Sequence, residues 1–383
     1  MALRGIYNLH DFEAAARRQL PRAIFSYINN GAEDEVTLRR NRQCFDRYAF
    51  VPRMLNDVSQ RHQRATLFGH EYDSVFGISP VGLGAMYRYR GDVELATAAH
   101  SRNVPYVLSG ASLTRMEEVA EVAPRSWFQA YLPGVSSEVR RLLDRVKVAG
   151  FKTLVITVDI PVGVSPDRYV RNGFSSPLRP SFDLAAQGLS HPGWLFGTFL
   201  RTLATRGMPH LENWRADRGA PVLSKSVQKD TANRDNFTWK HIRKARECWQ
   251  GNLVIKGILS PQDALTCAEI GVDGVVVSNH GGRQIDGAVA SLDMLAEIVR
   301  AVPTMTVMMD SGVRRGTDVL KAVGLGARCV FAGRPFNYAL ACGGAPGVTH
   351  ALDLLYEEVH RSMAHLGILH PYQAADVLVQ AAQ

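Results

Sequence analysis

The 383-residue chain is 46% hydrophobic and 21% charged, the balance of a folded protein with a large core rather than of a disordered or low-complexity chain. Its 44 basic and 36 acidic residues leave a net charge of +8, yet no basic block exceeds a triplet and no nucleic-acid motif occurs. The charge therefore argues for anionic small molecules or an anionic surface, not for nucleic acid.

The first ten residues lack the apolar core of a signal peptide, and no stretch reaches the length of a bilayer-spanning helix. Cys44, Cys248, Cys267, Cys329 and Cys342 are scattered without metal-ligand spacing, as isolated thiols in a reducing compartment would be. Cytoplasmic residence is the expectation, with peripheral membrane attachment left open. Leu9 to Gly31 reads as two short helices broken at Pro21, and Glu33-Asp34-Glu35 is an acidic start to a third.

Eight short apolar runs then alternate with amphipathic stretches of helical length. They lie at Phe76–Val81, Val104–Ser109, Ser126–Tyr131, Thr153–Val158, Leu253–Lys256, Gly274–Ser278, Thr306–Asp310 and Arg328–Gly333. This alternation predicts a (β/α)8 barrel over 75–370, preceded by helices within 1–70, in one domain covering 1–383. Between the fourth and fifth runs the spacing widens to about ninety residues, an insertion over about 175–230. Its middle mixes Trp194, Leu195, Phe196, Phe199, Leu200 and Leu203 with Arg201 and Arg206. That composition suits a lid or subunit contact, and also an interfacial membrane helix.

The chemistry-bearing residues collect at the C-terminal ends of the later runs, where barrel enzymes carry their catalytic groups. Lys256 ends the fifth run, so its ammonium needs an anion: it could form a Schiff base, pair with a carboxylate, or stand beside an electron-rich ring. After the sixth run, Asn279-His280-Gly281-Gly282-Arg283 sets an imidazole and a guanidinium three residues apart on a glycine turn, in outline a base beside a carboxylate anchor. A lone His there would more often cap the next helix; the Gly-Gly-Arg that follows favours the functional reading. Asp310-Ser-Gly312-Val-Arg314-Arg315-Gly316 follows the seventh run and Ala332-Gly333-Arg334-Pro335 the eighth, the two positions where barrels commonly hold a phosphate.

Together these segments resemble the FMN-dependent α-hydroxy acid oxidising family, which includes glycolate oxidase, L-lactate dehydrogenase and mandelate dehydrogenase. The likeness runs from Leu20-Pro21 to Gly347-Val348 and rests on Ile255-Lys-Gly257, Ser278-Asn-His-Gly-Gly-Arg-Gln-Ile-Asp-Gly287 and Asp310-Ser-Gly-Val-Arg-Arg-Gly-Thr-Asp-Val319. The resemblance implies His280 as base, Asp159 as the carboxylate steadying it, and Lys256 as the cation offsetting charge on the reduced flavin. It implies Arg283, Tyr27 and Tyr131 as substrate contacts. Ser109, Gln129, Thr157 and Ser278 would face the flavin ring, and Pro80, Val81 and Gly82 would lie against it. Asp310, Gly312, Arg314, Gly333 and Arg334 would hold its ribityl and phosphate groups. A homo-oligomer, usually a tetramer or larger, is implied too.

Two positions depart from the family pattern. Where relatives place a second arginine for the substrate acid, this chain has Pro166, which carries neither charge nor donor; Arg168, two residues on, is the replacement the sequence offers. Ala111 stands where glycolate-type enzymes carry a large aromatic, which enlarges the pocket. The expected activity is oxidation of an L-2-hydroxy acid, bulkier than glycolate, to the 2-oxo acid, with oxygen, a quinone or another carrier taking the electrons from FMN. The alternatives are a relative that oxidises a different alcohol or an amine, and a non-catalytic FMN-binding barrel.

Overall fold

Strands with no polar face must be covered on both sides, and parallel pairing beneath a ring of helices achieves that. The computed structural model describes residues 3–133, 135–163, 167–175, 178–226 and 234–381. Eight strands form the barrel: β1 Phe76–Ile78, β2 Val107–Ser109, β3 Trp127–Ala130, β4 Thr153–Thr157, β5 Asn252–Ile258, β6 Gly274–Val277, β7 Thr306–Met309 and β8 Cys329–Ala332. They pair in the order β1-β8-β7-β6-β5-β4-β3-β2, and a parallel bridge from Ile78 to Tyr106 joins the two ends. The eight apolar runs are these eight strands. At β1 the strand stops short of its run because Ser79 to Gly82 already turn into the mouth.

Side chains alternate in and out along each strand. On β4, Leu154 and Ile156 face the helices while Val155 faces the interior; Val107, Trp127, Val254, Val276, Met308 and Phe331 join it there. The hairpin of Ala65–Leu67 and His70–Tyr72 plugs this inner cluster with Leu67 and Tyr72, and Trp127 Nε1 donates to the Tyr72 hydroxyl at 3.2 Å.

Helices α1 (Leu9–Gln19), α2 (Arg22–Asn29) and α3 (Val36–Gln43) precede the barrel, with the break at Pro21. Asn8 and Asp11 close a capping box on α1. The start of α3 is capped from far away in sequence: the Asp286 carboxylate accepts from the backbone N–H groups of Asp34, Val36 and Thr37 at 3.1, 3.1 and 2.8 Å.

The insertion includes the helix Phe182–Leu189 and a helical run from Pro192 to Arg206 with a π-helical segment. It is fastened to α2, where Gln187 Oε1 accepts from Ala23 N at 2.8 Å. It is fastened as well to the segment after β1, where Trp194 Nε1 donates to the Met86 carbonyl at 2.7 Å and Arg201 lies 4.1 Å over the Tyr89 ring. Trp194 is thereby turned inward, while Phe182, Leu189 and Phe196 point out, 98%, 72% and 65% exposed. Among the described residues no helix is long and apolar enough to cross a membrane.

Candidate active site

The site is the next storey of the barrel interior. Two residues beyond each inward core side chain the strand points inward again, so Val107 is followed by Ser109, Trp127 by Gln129, Val155 by Thr157, Val254 by Lys256, Val276 by Ser278 and Met308 by Asp310. A buried apolar floor thus carries a buried polar layer.

In that layer Lys256, 3% exposed, donates to Ser278 Oγ at 2.8 Å and pairs with Asp310 Oδ2 at 3.1 Å. Of the roles the sequence leaves open to Lys256, this structure contains the ion pair. Burial pushes the Asp310 carboxyl upward, but Lys256 and the hydroxyls of Ser278 and Ser79 outweigh it and hold it below the ordinary value.

His280 sits at φ +56°, a left-handed conformation that costs a non-glycine residue about 1–3 kcal/mol. The turn is held in place by its surroundings: His280 N donates to Ser278 Oγ at 3.0 Å, Gly281 N to Ser311 Oγ at 3.1 Å, and Ala32 N to the Gly282 carbonyl at 2.8 Å. Gly282, at φ +72°, lets α3 pack there, since a Cβ would lie 2.7 Å from Leu38 N. The His280 Nδ1 lies 2.9 Å from Asp159 Oδ1. A carboxylate only accepts, so Nδ1 is the donor in this pair, which leaves Nε2 outside it in a residue that lines the cleft.

Arg283 enters the same cleft beneath Tyr27. Its Nη1 donates to the carbonyls of Tyr27 and Ile28 at 2.6 and 3.2 Å, and its guanidinium carbon is 4.9 Å from the Tyr27 ring and 5.7 Å from the Tyr169 ring. A guanidinium keeps its proton even when buried, so Arg283 is a cation, and its Nη1 is the nitrogen engaged by those two carbonyls. Tyr131 stacks on Trp214 at 4.7 Å and lines the cleft with Ala111. Burial raises the hydroxyl pKa of both Tyr27 and Tyr131, keeping them neutral donors.

Two features in and beneath the cleft call for an anionic ligand with hydrogen-bonding groups. Arg314 and Arg334 are half-buried, and their side chains donate to backbone carbonyls: Arg314 to Val313, and Arg334 to Ile28, Asn30 and Gly281. Burial, with Arg283 beside it, brings the Arg334 pKa down to about 10, the mark of a cation short of an anion. In the polar layer, Gln129 Nε2 and Thr157 Oγ1 are buried without a hydrogen-bond partner. A flavin mononucleotide would fit both: the orphaned amide and hydroxyl could bond its ring and the arginines could hold its phosphate. Pro80, Val81, Gly82, Gly312 and Gly333 line the cleft alongside them, while Ser109 lies beneath, donating to Gln129 Oε1 at 3.2 Å. A larger cavity of about 480 Å³ lies between the insertion and Arg90, but its cations are matched, Arg145 by Glu117, Arg206 by Glu118 and Arg218 by Glu212.

The expectation for Arg168 needs correction. Its Nε donates to the Glu33 carbonyl and its Nη1 is 3.4 Å from Glu35 Oε2, so it ties the post-β4 segment to the start of α3 and does not line the cleft. Position 166 lies outside the described residues. Sequence reasoning missed Tyr169 beside Arg283, Asp286 as the cap of α3, and Arg234, a buried arginine beside Tyr131. Asp286 stands within the motif after β6, but nothing local marks the other two.

A parallel barrel whose mouth joins a histidine–carboxylate pair to a buried lysine and unneutralised arginines defines a flavin-dependent oxidoreductase. Residues 16–380 match the family described as FMN-dependent dehydrogenase, and the chain belongs to that family, with FMN as its cofactor. It is 40% identical over 372 residues to the L-lactate dehydrogenase of Caulobacter sp. (strain K31), covering 95% of each chain. A second L-lactate dehydrogenase, from Acinetobacter baumannii, is 40% identical over 378 residues, 97% of each. Among solved structures, (S)-mandelate dehydrogenase, described as a monotopic membrane protein, superposes with a TM-score of 0.90 at 33% identity over 99% of this chain and 100% of that one. Mandelate oxidase with (S)-2-phenylpropionate gives 0.82 at 33% identity, over 98% and 99%.

Proposed function

We propose that the enzyme oxidises an L-2-hydroxy acid bulkier than glycolate to the 2-oxo acid. The observation that carries this reading is the placement of His280, held by Asp159 with Nε2 open, in one cleft with Arg283. A base and a carboxylate anchor side by side are what a 2-hydroxy acid requires and what mere cofactor binding does not. Arg283 holds the substrate acid group, the hydroxyls of Tyr27 and Tyr131 orient it, and His280 Nε2 receives the proton it gives up. FMN, when bound, accepts the electron pair that leaves the substrate. Lys256 would offer the bound flavin a fixed positive charge, and Asp310 keeps that charge in place. Ala111, with only a methyl group facing the cleft, supports a bulky substituent, as does the similarity to mandelate enzymes.

The exposed Phe182, Leu189 and Phe196 support docking of the insertion on a lipid surface, and similarity to a monotopic membrane enzyme points the same way. A membrane quinone is then the natural electron acceptor. Assembly as a homo-oligomer stays part of the proposal and is read by light scattering of the purified enzyme.

Anaerobic titration of the yellow enzyme with glycolate, L-lactate and (S)-mandelate tests the reading. The flavin spectrum is expected to bleach with (S)-mandelate at lower concentration than with glycolate. Preference for glycolate defeats the bulky-substrate reading, and a spectrum untouched by every 2-hydroxy acid defeats the substrate class.

A further inference from the structure

We infer that Arg234 is a second cation for the substrate acid group, supplied by the chain as it returns from the insertion toward β5. The inference rests on the 2-hydroxy acid reading above. Arg234 is 6% exposed, and its Nη2 donates to the Thr157 carbonyl at the top of β4, at 2.9 Å. Its Nε and Nη1 are buried and have no hydrogen-bond partner. A buried guanidinium with two idle nitrogens is costly unless something it binds completes it.

The surroundings say where that partner comes from. The guanidinium carbon lies 5.3 Å from the ring of Tyr131 and 5.3 Å from that of Phe237, and neither ring face accepts a second strong hydrogen bond. Tyr131 itself lines the cleft, and it feels the positive charge of Arg234 and of Arg283 together. An acid group placed against Arg283 and beside the Tyr131 hydroxyl is thus within the field of both cations. Asp159 is near enough to favour the charge on Arg234, yet its Oδ2 is buried without a hydrogen-bond partner, so the two groups do not bond directly through it. Arg168 is engaged with Glu33 and Glu35, and position 166 is a proline. Among the described residues, Arg234 is an arginine outside the family pattern that stands beside Tyr131 with two buried, unpartnered donors.

The test compares Arg234→Met, Arg234→Gln and Arg234→Lys with the wild type, all as full-length FMN-loaded enzymes whose flavin content and melting are recorded first. Each hydroxy acid that bleaches the wild type is paired with its neutral 2-hydroxy amide, and the dissociation constant of the 2-oxo acid is read from the flavin spectrum. Loss of a charge-assisted bond predicts an increase of about tenfold to a hundredfold in KM and in the 2-oxo acid dissociation constant for the Met and Gln variants. The amide should change by less than about threefold, and Lys should recover part of the acid binding. Equal losses for acid and amide would overturn the inference, as would unchanged acid affinity with a displaced pH–rate profile, which would make Arg234 a counter-ion of Asp159. A wild type bleached by no 2-hydroxy acid overturns the substrate reading and not this assignment alone; a bleached wild type with unaltered affinity in Arg234→Gln overturns the assignment alone.

Discussion

A Cβ on Gly257 would lie 2.7 Å from both Cβ and Cγ of Asp159, so the irregularity in β5 and the carboxylate that holds His280 are fitted to one another. At φ +105° the register of β5 against β6 slips between Lys256 and Ile258, and the space this opens is the space Asp159 occupies. Lys256 and Asp159 therefore depend on the same bulge.

Gly257→Ala should move Asp159 and tilt His280 out of line. A displacement near one ångström at a reacting group costs about a hundredfold in rate. We expect turnover to fall on that order while FMN content is retained, measured by anaerobic flavin bleaching. Unchanged turnover would mean that the Asp159 position does not matter.

Lys256→Met should leave the Asp310 carboxylate buried without its partner, a loss on the order of 3–5 kcal/mol. Lys256→Met with Asp310→Asn removes both charges and should recover most of that stability in urea unfolding, without restoring flavin reduction. The Asp310 pKa is depressed in the folded state, so the stabilisation of this pair is present above the ordinary carboxyl value of 3.8 and is lost as pH falls through the lowered one. A double variant no more stable than the single one would show that the pair is not coupled.

Asp92 titrates in the opposite sense. It is fully buried, accepts from Thr114 Oγ1 at 3.1 Å and has its other oxygen unpaired; burial pushes its pKa up to about 6 against an ordinary 3.8, with hydrogen bonds from Ser112 and Thr114 opposing. A raised folded-state pKa contributes stability that is complete below 3.8 and is lost as pH rises through about 6. Asp92→Asn should thus be more stable than the wild type at pH 7.5, by on the order of 3 kcal/mol at most, and the two should converge near pH 4. A stability difference independent of pH across that window would contradict the assignment.

Replacing Phe182, Leu189 and Phe196 together by serine removes the apolar outer face of the insertion while leaving Trp194 and Gln187, which anchor it, untouched. In flotation with anionic phospholipid vesicles the wild type should rise with the lipid and the variant should stay in the dense fraction, with hydroxy acid bleaching of both unchanged. Equal flotation would remove the lipid-docking proposal.

Alternation along the strands was legible from residue order: once Val254 or Met308 is assigned to the interior, Lys256 and Asp310 must point there too, because the strand period is two. The eight strands, the polar layer above the core and the glycine turn at His280 all follow from such local rules. Arg168 and Arg234 do not. Each lies on chain leaving or re-entering the barrel around the insertion, where no period restrains the direction of a side chain, and only the packed fold sends one to Glu35 and brings the other to Tyr131. The same holds for Asp286 reaching across to α3, and for the room that Gly257 leaves for Asp159. Local order sets the face on which a residue lies; long-range packing sets the partner that it meets.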